Sequence, residues 1–138
     1  MSSLNAYLGI SLGMLFTMIG TTFSTIKASK LMGYTPMTFF PIIMSGVLAI
    51  YGLIVTILVV FKIDEFPEIT DSASNALMAA GLISGFSNLF SGITMGVIND
   101  MASLGENEVN KGVVLGLIFA ESWGLYGLII SLIIIGKI

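Results

Sequence analysis

One carboxylic acid lies where an ionisable side chain is costly. The chain has five lysines and eight acidic residues, and all except Glu121 fall in polar connections or at the ends of apolar segments. Glu121 is the tenth residue of the apolar segment 112–136, about 14 Å along a helix that rises 1.5 Å per residue. A helix crossing a bilayer core of about 30 Å would hold this residue near the midplane. A carboxyl group in that place predicts proton or ion transport.

The surroundings of Glu121 favour its neutral form, because a medium of low dielectric constant disfavours a carboxylate. A neutral acid can face lipid, and it releases its proton where it meets water or a fixed cation. The alternative is a structural acid that keeps helices in register. That alternative is weakened by the residues three, four and seven positions away, which are large, aliphatic and suited to lipid: Leu117, Ile118, Leu125 and Leu128.

Three hydroxyl-bearing residues are candidates for hydrogen bonds to Glu121: Tyr51, Ser45 and Ser122. Tyr51 could donate to the acid, or it could simply be an aromatic residue packed at a helix interface. Na⁺ requires several oxygen ligands, whereas this chain has no Gln and few side-chain oxygens near the acid. These residue types favour H⁺ as the transported ion. The lack of Cys and His excludes thiol chemistry and the usual zinc ligands, and no cofactor is predicted.

Four apolar segments carry these residues, at about 5–28, 37–61, 73–98 and 112–136. Only 9% of the chain is charged, compared with about 25% in soluble domains. Each segment has the roughly 20 residues that a transmembrane helix needs, and backbone groups in lipid must pair within their own helix. The sequence therefore predicts an all-α membrane protein with four transmembrane helices.

The segments form two similar halves, which predicts two duplicated helical hairpins at 1–63 and 72–138. Residues 49–56 align with 124–131, and the match continues to Lys62-Ile63 and Lys137-Ile138. Small residues recur at helical spacing and predict close helix packing. In the first, third and fourth segments they are Gly9, Gly13 and Gly20; Gly81, Gly85, Gly92 and Gly96; and Gly116, Ala120 and Gly124.

The distribution of charge indicates orientation and partners. Lys27 and Lys30 follow the first segment, whereas the second connection is acidic. The positive-inside rule then places the first and third connections in the cytoplasm and both termini in the lumen. The chain has no nucleotide-binding motif, so a nucleotide-driven energy source for transport would have to lie in another polypeptide. Five lysines without Arg argue against a nucleic-acid partner. The cation that promotes release of the Glu121 proton must come from another polypeptide, since the chain has no Arg and each Lys lies at the end of a segment or in a connection.

Several stretches resemble the V-type ATPase proteolipid, the rotor-ring family. Residues 117–121 (LIFAE) with 124–129 (GLYGLI) resemble its fourth helix, and residues 41–46 (PIIMSG) with 49–53 (AIYGL) look like its second. Residues 20–27 (GTTFSTIK) are similar to the end of its first helix. The resemblance covers nearly the whole chain.

The resemblance implies a rotor subunit without a catalytic site of its own. Identical or paralogous copies would form a ring, with the first and third helices inside and the second and fourth facing lipid. Glu121 would carry the proton, a stator membrane subunit would supply an Arg, and a central-stalk subunit would contact the cytoplasmic loops. The ring would lie in a vacuolar or other acidic-organelle membrane. Two alternatives are a small proton-coupled multidrug-type antiporter and a sodium-translocating rotor.

Overall fold

The computed structural model describes residues 3–31, 33, 36–105 and 109–138. This part of the chain contains four helices that are long and apolar enough to cross a membrane. They are α1 (Leu4–Ser29), α2 (Phe39–Glu65), α3 (Asp71–Leu104) and α4 (Lys111–Gly136). A short 3-10 turn, Pro36–Thr38, precedes α2. The prediction of an all-α membrane protein with four transmembrane helices is confirmed.

Side-chain caps begin α3 and α4. Thr70 Oγ1 accepts a hydrogen bond from the Ala73 amide at 3.2 Å, and Asn110 Oδ1 accepts one from the Val113 amide at 2.9 Å. The first turn of a helix leaves such amides without an intrahelical partner, so these caps stabilise both starts. Beyond α1, Gly33 has a φ of 96°. Residues that carry a side chain rarely adopt this left-handed backbone conformation, whereas glycine adopts it readily. Gly33 therefore allows the chain to turn towards α2.

Two helices extend beyond the apolar segments that predict them. α2 continues to Glu65 rather than ending near residue 61, and α3 continues to Leu104 rather than ending near residue 98. The polar residues at these ends do not break a helix, and Lys62 Nζ pairs with Glu65 Oε2 at 3.1 Å. The 34 residues of α3 measure about 51 Å, so this helix is longer than a bilayer core. Glu106 and Glu108, in the predicted third connection, lie outside the described residues.

An ion-pair cluster joins the ends of α1 and α3. Lys27 Nζ lies 3.3 Å and Lys30 Nζ lies 2.9 Å from the same oxygen, Asp100 Oδ1. The hydrogen bond that Lys30 donates to Asp100 raises the pKa of the Lys30 ammonium above its ordinary value. Hydropathy ends the third segment near residue 98 and so predicts Asp100 in the third connection, whereas the structure has it within α3. The two lysines offset its negative charge near the C-terminal end of α3.

Helices α1 and α3 run parallel and pack backbone against backbone. A Cβ atom on Gly13 would collide with the carbonyl oxygen of Gly81, and one on Gly20 would lie 2.7 Å from the carbonyl oxygen of Asn88. Close backbone approach of this kind is available only where side chains are absent. The other predicted small residues of these helices make similar contacts: Gly9, Gly85 and Gly92 with backbone, and Gly96 with the ring of Phe23.

Helices α2 and α4 pack against α1 and α3 through two apolar clusters. Towards the start of α2 and α4, one cluster contains Met44, Leu48, Met95, Leu117 and Ala120. The other lies towards their far ends and is centred on Val55, Val59, Leu77, Ala80 and Leu128. Tyr51 packs against both clusters. This residue therefore lies at the level where the two halves of the core meet.

Candidate functional site

Glu121 lies near the middle of α4, on the side that faces α2. It is the eleventh residue of a helix that begins at Lys111, which places it about 15 Å from that end. Its side chain is half-buried. Oε1 accepts a hydrogen bond from the Tyr51 hydroxyl at 2.8 Å. The structure thus contains the contact expected of Tyr51 and brings two of the predicted site residues together.

Close contacts on both helices hold this pair in place. The residue before Glu121, Ala120, is buried, and its carbonyl oxygen accepts a hydrogen bond from Ser91 Oγ on α3. The residue after Tyr51 is Gly52, where a Cβ atom would lie only 2.8 Å from Thr17 Oγ1 on α1. Backbone atoms next to both functional side chains therefore touch α1 or α3, which limits rotation of α2 and α4.

Ser45 and Ser122 make their hydrogen bonds elsewhere. Ser45 Oγ is fully buried, pairs with Ser24 Oγ and donates to the carbonyl oxygen of Pro41. Ser122 Oγ donates to the carbonyl oxygen of Ile118 one turn earlier, at 3.0 Å. Serine hydroxyl groups inside helices commonly donate a hydrogen bond to the carbonyl oxygen four residues earlier. Among the hydrogen bonds of the described residues, Tyr51 supplies the one to Glu121.

The aliphatic neighbours of Glu121 do not all face outwards as expected. Leu117 and Leu128 are buried in the two apolar clusters, whereas Ile118 and Leu125 are exposed. The positions that continue the small-residue stripe, Ala120 and Gly124, lie on the buried side of α4. Glu121 sits at the edge between the packed and exposed faces. The expectation that all four aliphatic residues suit lipid is wrong, because α4 buries a wider stripe than its small residues alone.

Polar residues of α3 that sequence analysis passed over lie close to the site. Asn88 and Ser84 are buried and linked, with Asn88 Nδ2 also donating to Thr17 Oγ1 at 3.1 Å. Ser91 completes a stripe at residues 84, 88 and 91 that faces the other helices. The sequence pattern could have indicated these residues, because three polar residues at helical spacing inside an apolar segment are unusual.

This arrangement can bind and release a proton. Glu121 is an ionisable group in an apolar setting, half accessible, with a hydroxyl donor held against one oxygen. Within the described residues no ion pair involves Glu121, and no group of three or more acidic side chains there could hold a metal ion. A neutral acid needs no counter-ion in such a place, whereas a carboxylate would require a cation supplied from outside.

Comparisons with known proteins converge on one family. The family model for the C-subunit of ATP synthase matches residues 78–134. The 16 kDa proteolipid (c-subunit) of the V-type proton ATPase of Nephrops norvegicus is 34% identical over 94% of this chain and 89% of its own length. The human protein of the same name is 33% identical over 99% and 94%. The c'-subunit of the V-type proton ATPase of Eremothecium gossypii is 39% identical over 84% and 75%.

Proposed function

This chain belongs to the V-type ATPase proteolipid family, and we propose that it is a proton-translocating rotor subunit in which Glu121 carries the proton. It is a non-catalytic membrane subunit, so ATP hydrolysis belongs to other subunits. The observation that supports this role is the location of Glu121 near the middle of α4, where its side chain is half-buried and accepts a hydrogen bond from Tyr51. The antiporter and the sodium-translocating rotor are not favoured.

The transport cycle follows from the cost of charge in lipid. While Glu121 faces hydrocarbon it is neutral, since a carboxylate at the bilayer centre would cost several kcal/mol. Release of the proton requires a cation or water, and this chain has no Arg. An Arg of the stator membrane subunit fits that requirement. Each proton moved against 100 mV requires about 2.3 kcal/mol, which ATP hydrolysis in partner subunits supplies.

The packing supports a ring of copies, each built from two related hairpins at residues 1–63 and 72–138. The glycine contacts make the α1–α3 pair thin, as the narrow inner wall of a ring requires. Large apolar side chains are exposed on α2 and α4, including Ile50, Phe61, Phe119 and Ile133, and would face lipid or neighbouring copies. A stable ring in native mass measurements would support the rotor, whereas a dimer would contradict it.

The same proposal sets orientation and location. The Lys27, Lys30 and Asp100 cluster lies at the cytoplasmic end, where the positive-inside rule places lysines, and both termini are luminal. The central-stalk subunit would contact the connections at this end. The membrane is that of a vacuole or another acidic organelle.

Dicyclohexylcarbodiimide is expected to label Glu121 selectively and to stop ATP-driven proton uptake into vesicles. The reagent reacts well only with a protonated acid that it reaches through lipid. Acids in the second connection, such as the exposed Glu68, face water rather than lipid and should react little. Mass spectrometry of labelled peptides identifies the modified residue. Labelling confined to Glu106 or Glu108 would contradict the proposed role.

The variant Tyr51→Phe is expected to lower proton uptake up to about tenfold, because it removes one hydrogen bond of about 1–1.5 kcal/mol from the proton carrier. Proton uptake by reconstituted vesicles measures the effect. Tyr126→Phe is the matched control, since Tyr126 is exposed on the same helix as the acid. Equal losses in the two variants would show that the Tyr51 contact has no special role.

A further inference from the structure

Asn88 carries an unsatisfied carbonyl oxygen in the middle of the longest helix. The residue has no exposed surface, and it lies 17 residues from the start of α3. Its amide nitrogen donates to Thr17 Oγ1 at 3.1 Å and approaches Ser84 Oγ at 3.5 Å. Its Oδ1 accepts no hydrogen bond from any described residue. Buried polar atoms without partners are uncommon, so this oxygen requires an explanation.

The unsatisfied oxygen is directed at α4, one turn from Glu121. A Cβ atom on Gly124 would lie 2.8 Å from Asn88 Oδ1 and 3.6 Å from Cδ2 of Tyr51. The missing side chain of Gly124 therefore leaves the space that the Asn88 amide and Cδ2 of Leu48, 2.7 Å from the same position, occupy beside the Tyr51 ring. A glycine Cα–H next to a carbonyl oxygen is a weak donor of the kind found at helix interfaces.

The other end of the Asn88 amide connects to α2 through α1. Thr17 Oγ1, which accepts from Asn88, would lie 2.8 Å from a Cβ atom on Gly52. Gly52 follows Tyr51 directly, and Gly124 comes one turn after Glu121. Thr17 and Asn88 thus fill the space between two glycines, and the four residues form one layer that touches all four helices. Both members of the Tyr51–Glu121 pair are adjacent to it.

We propose that Asn88 is a positioning residue for the proton carrier. Its amide, fixed by Thr17 on one side and packed on Gly124 on the other, sets the rotation of α4 relative to α2. This setting holds Glu121 Oε1 against the Tyr51 hydroxyl. The inference rests on the proposed function for its significance, but its geometry can be tested apart from transport.

Infrared spectroscopy of the purified ring tests the geometry. The C=O stretch of a protonated carboxylic acid moves to higher wavenumber when it loses a hydrogen bond, and the Glu121 band is the one that disappears in Glu121→Gln. Tyr51→Phe should raise the wavenumber of this band. Asn88→Ala should raise it too, and Asn88→Ala combined with Tyr51→Phe should shift it no further than Tyr51→Phe alone, because both changes break the same contact.

Asn99→Ala is the matched control. Asn99 is also fully buried on α3 with an unsatisfied amide, but it lies about 16 Å further along the helix, beyond reach of Glu121. It should leave the band unchanged. If Asn88→Ala prevents ring assembly, Asn88→Ser keeps a hydroxyl for Thr17, cannot reach Gly124 and should give the same shift.

An unshifted band in an assembled Asn88 variant, or a double variant that shifts by the sum of the single shifts, would overturn the positioning role. Neither result would affect the proposed function, which proton uptake tests separately. Conversely, if the Asn88 variants shift the band while Glu121→Gln still takes up protons at the native rate, the positioning role would be retained and the transport role of Glu121 removed.

Discussion

Replacing Glu121 with Gln is expected to reduce ATP-driven proton uptake to background while the protein still assembles. The amide keeps the shape of the side chain and still accepts the hydrogen bond from Tyr51, which is 2.8 Å from Oε1 in the native protein. It cannot gain or lose a proton near neutral pH. Proton uptake into vesicles containing the complete complex measures transport, and native electrophoresis of the same preparation measures assembly.

Glu68→Gln is the control for this experiment. Glu68 is an exposed acid in the connection between α2 and α3, so the same chemical change there should leave proton uptake unchanged. Uptake at the native rate by Glu121→Gln would remove this residue as the proton carrier. Loss of uptake accompanied by loss of assembly would assign Glu121 a structural role instead.

Adding one methyl group at Gly13 is expected to destabilise the protein by about 1–3 kcal/mol, as overpacking of a tight interface does. The Cβ atom of Gly13→Ala would meet the carbonyl oxygen of Gly81, and backbone cannot move aside as a flexible side chain can. α1 and α3 would have to separate. The temperature at which the purified protein dissociates in detergent measures this loss.

Gly46→Ala makes the same chemical change on α2 as a control. Gly46 is exposed, and apart from its chain neighbours and its own helix backbone no atom of the described residues lies within 4 Å of the position that its Cβ would take. Alanine favours a helix over glycine by up to about 1 kcal/mol, so this variant should be neutral or slightly more stable. Similar destabilisation in both variants would mean that close α1–α3 contact is not what Gly13 provides.

The main features of the fold follow from sequence because each depends on a strong local signal. A run of apolar residues long enough to cross a bilayer must be helical, since its backbone has no other partner in lipid. Glycines at matching spacing in α1 and α3 indicate where two helices can meet. Glu121 is evident as an ionisable residue far from either end of its helix.

The features that sequence missed depend on how the helices are rotated against one another. Leu117 and Leu128 resemble lipid-facing residues, but α2 and α3 cover them. Ser45 is a candidate partner of the acid by residue type, yet its hydroxyl pairs with Ser24 on α1. The helical spacing of Ser84, Asn88 and Ser91 marks one polar face of α3, but which helices that face meets depends on the rotation of α3. Helix ends were also missed, since hydropathy marks the limits of the membrane rather than those of the helix.

The backbone contact between α1 and α3 has a mechanical consequence. No layer of side chains separates these helices at Gly13, Gly81 and Gly85. Few flexible groups therefore lie between α1 and α3 that could deform when one helix is pushed along the other. Sideways force on α4 reaches α3 through Ser91 and Asn88 and passes on to α1 with little loss. The protomer therefore behaves as a stiff body under torque, and the strain of rotation falls at its boundaries with other subunits.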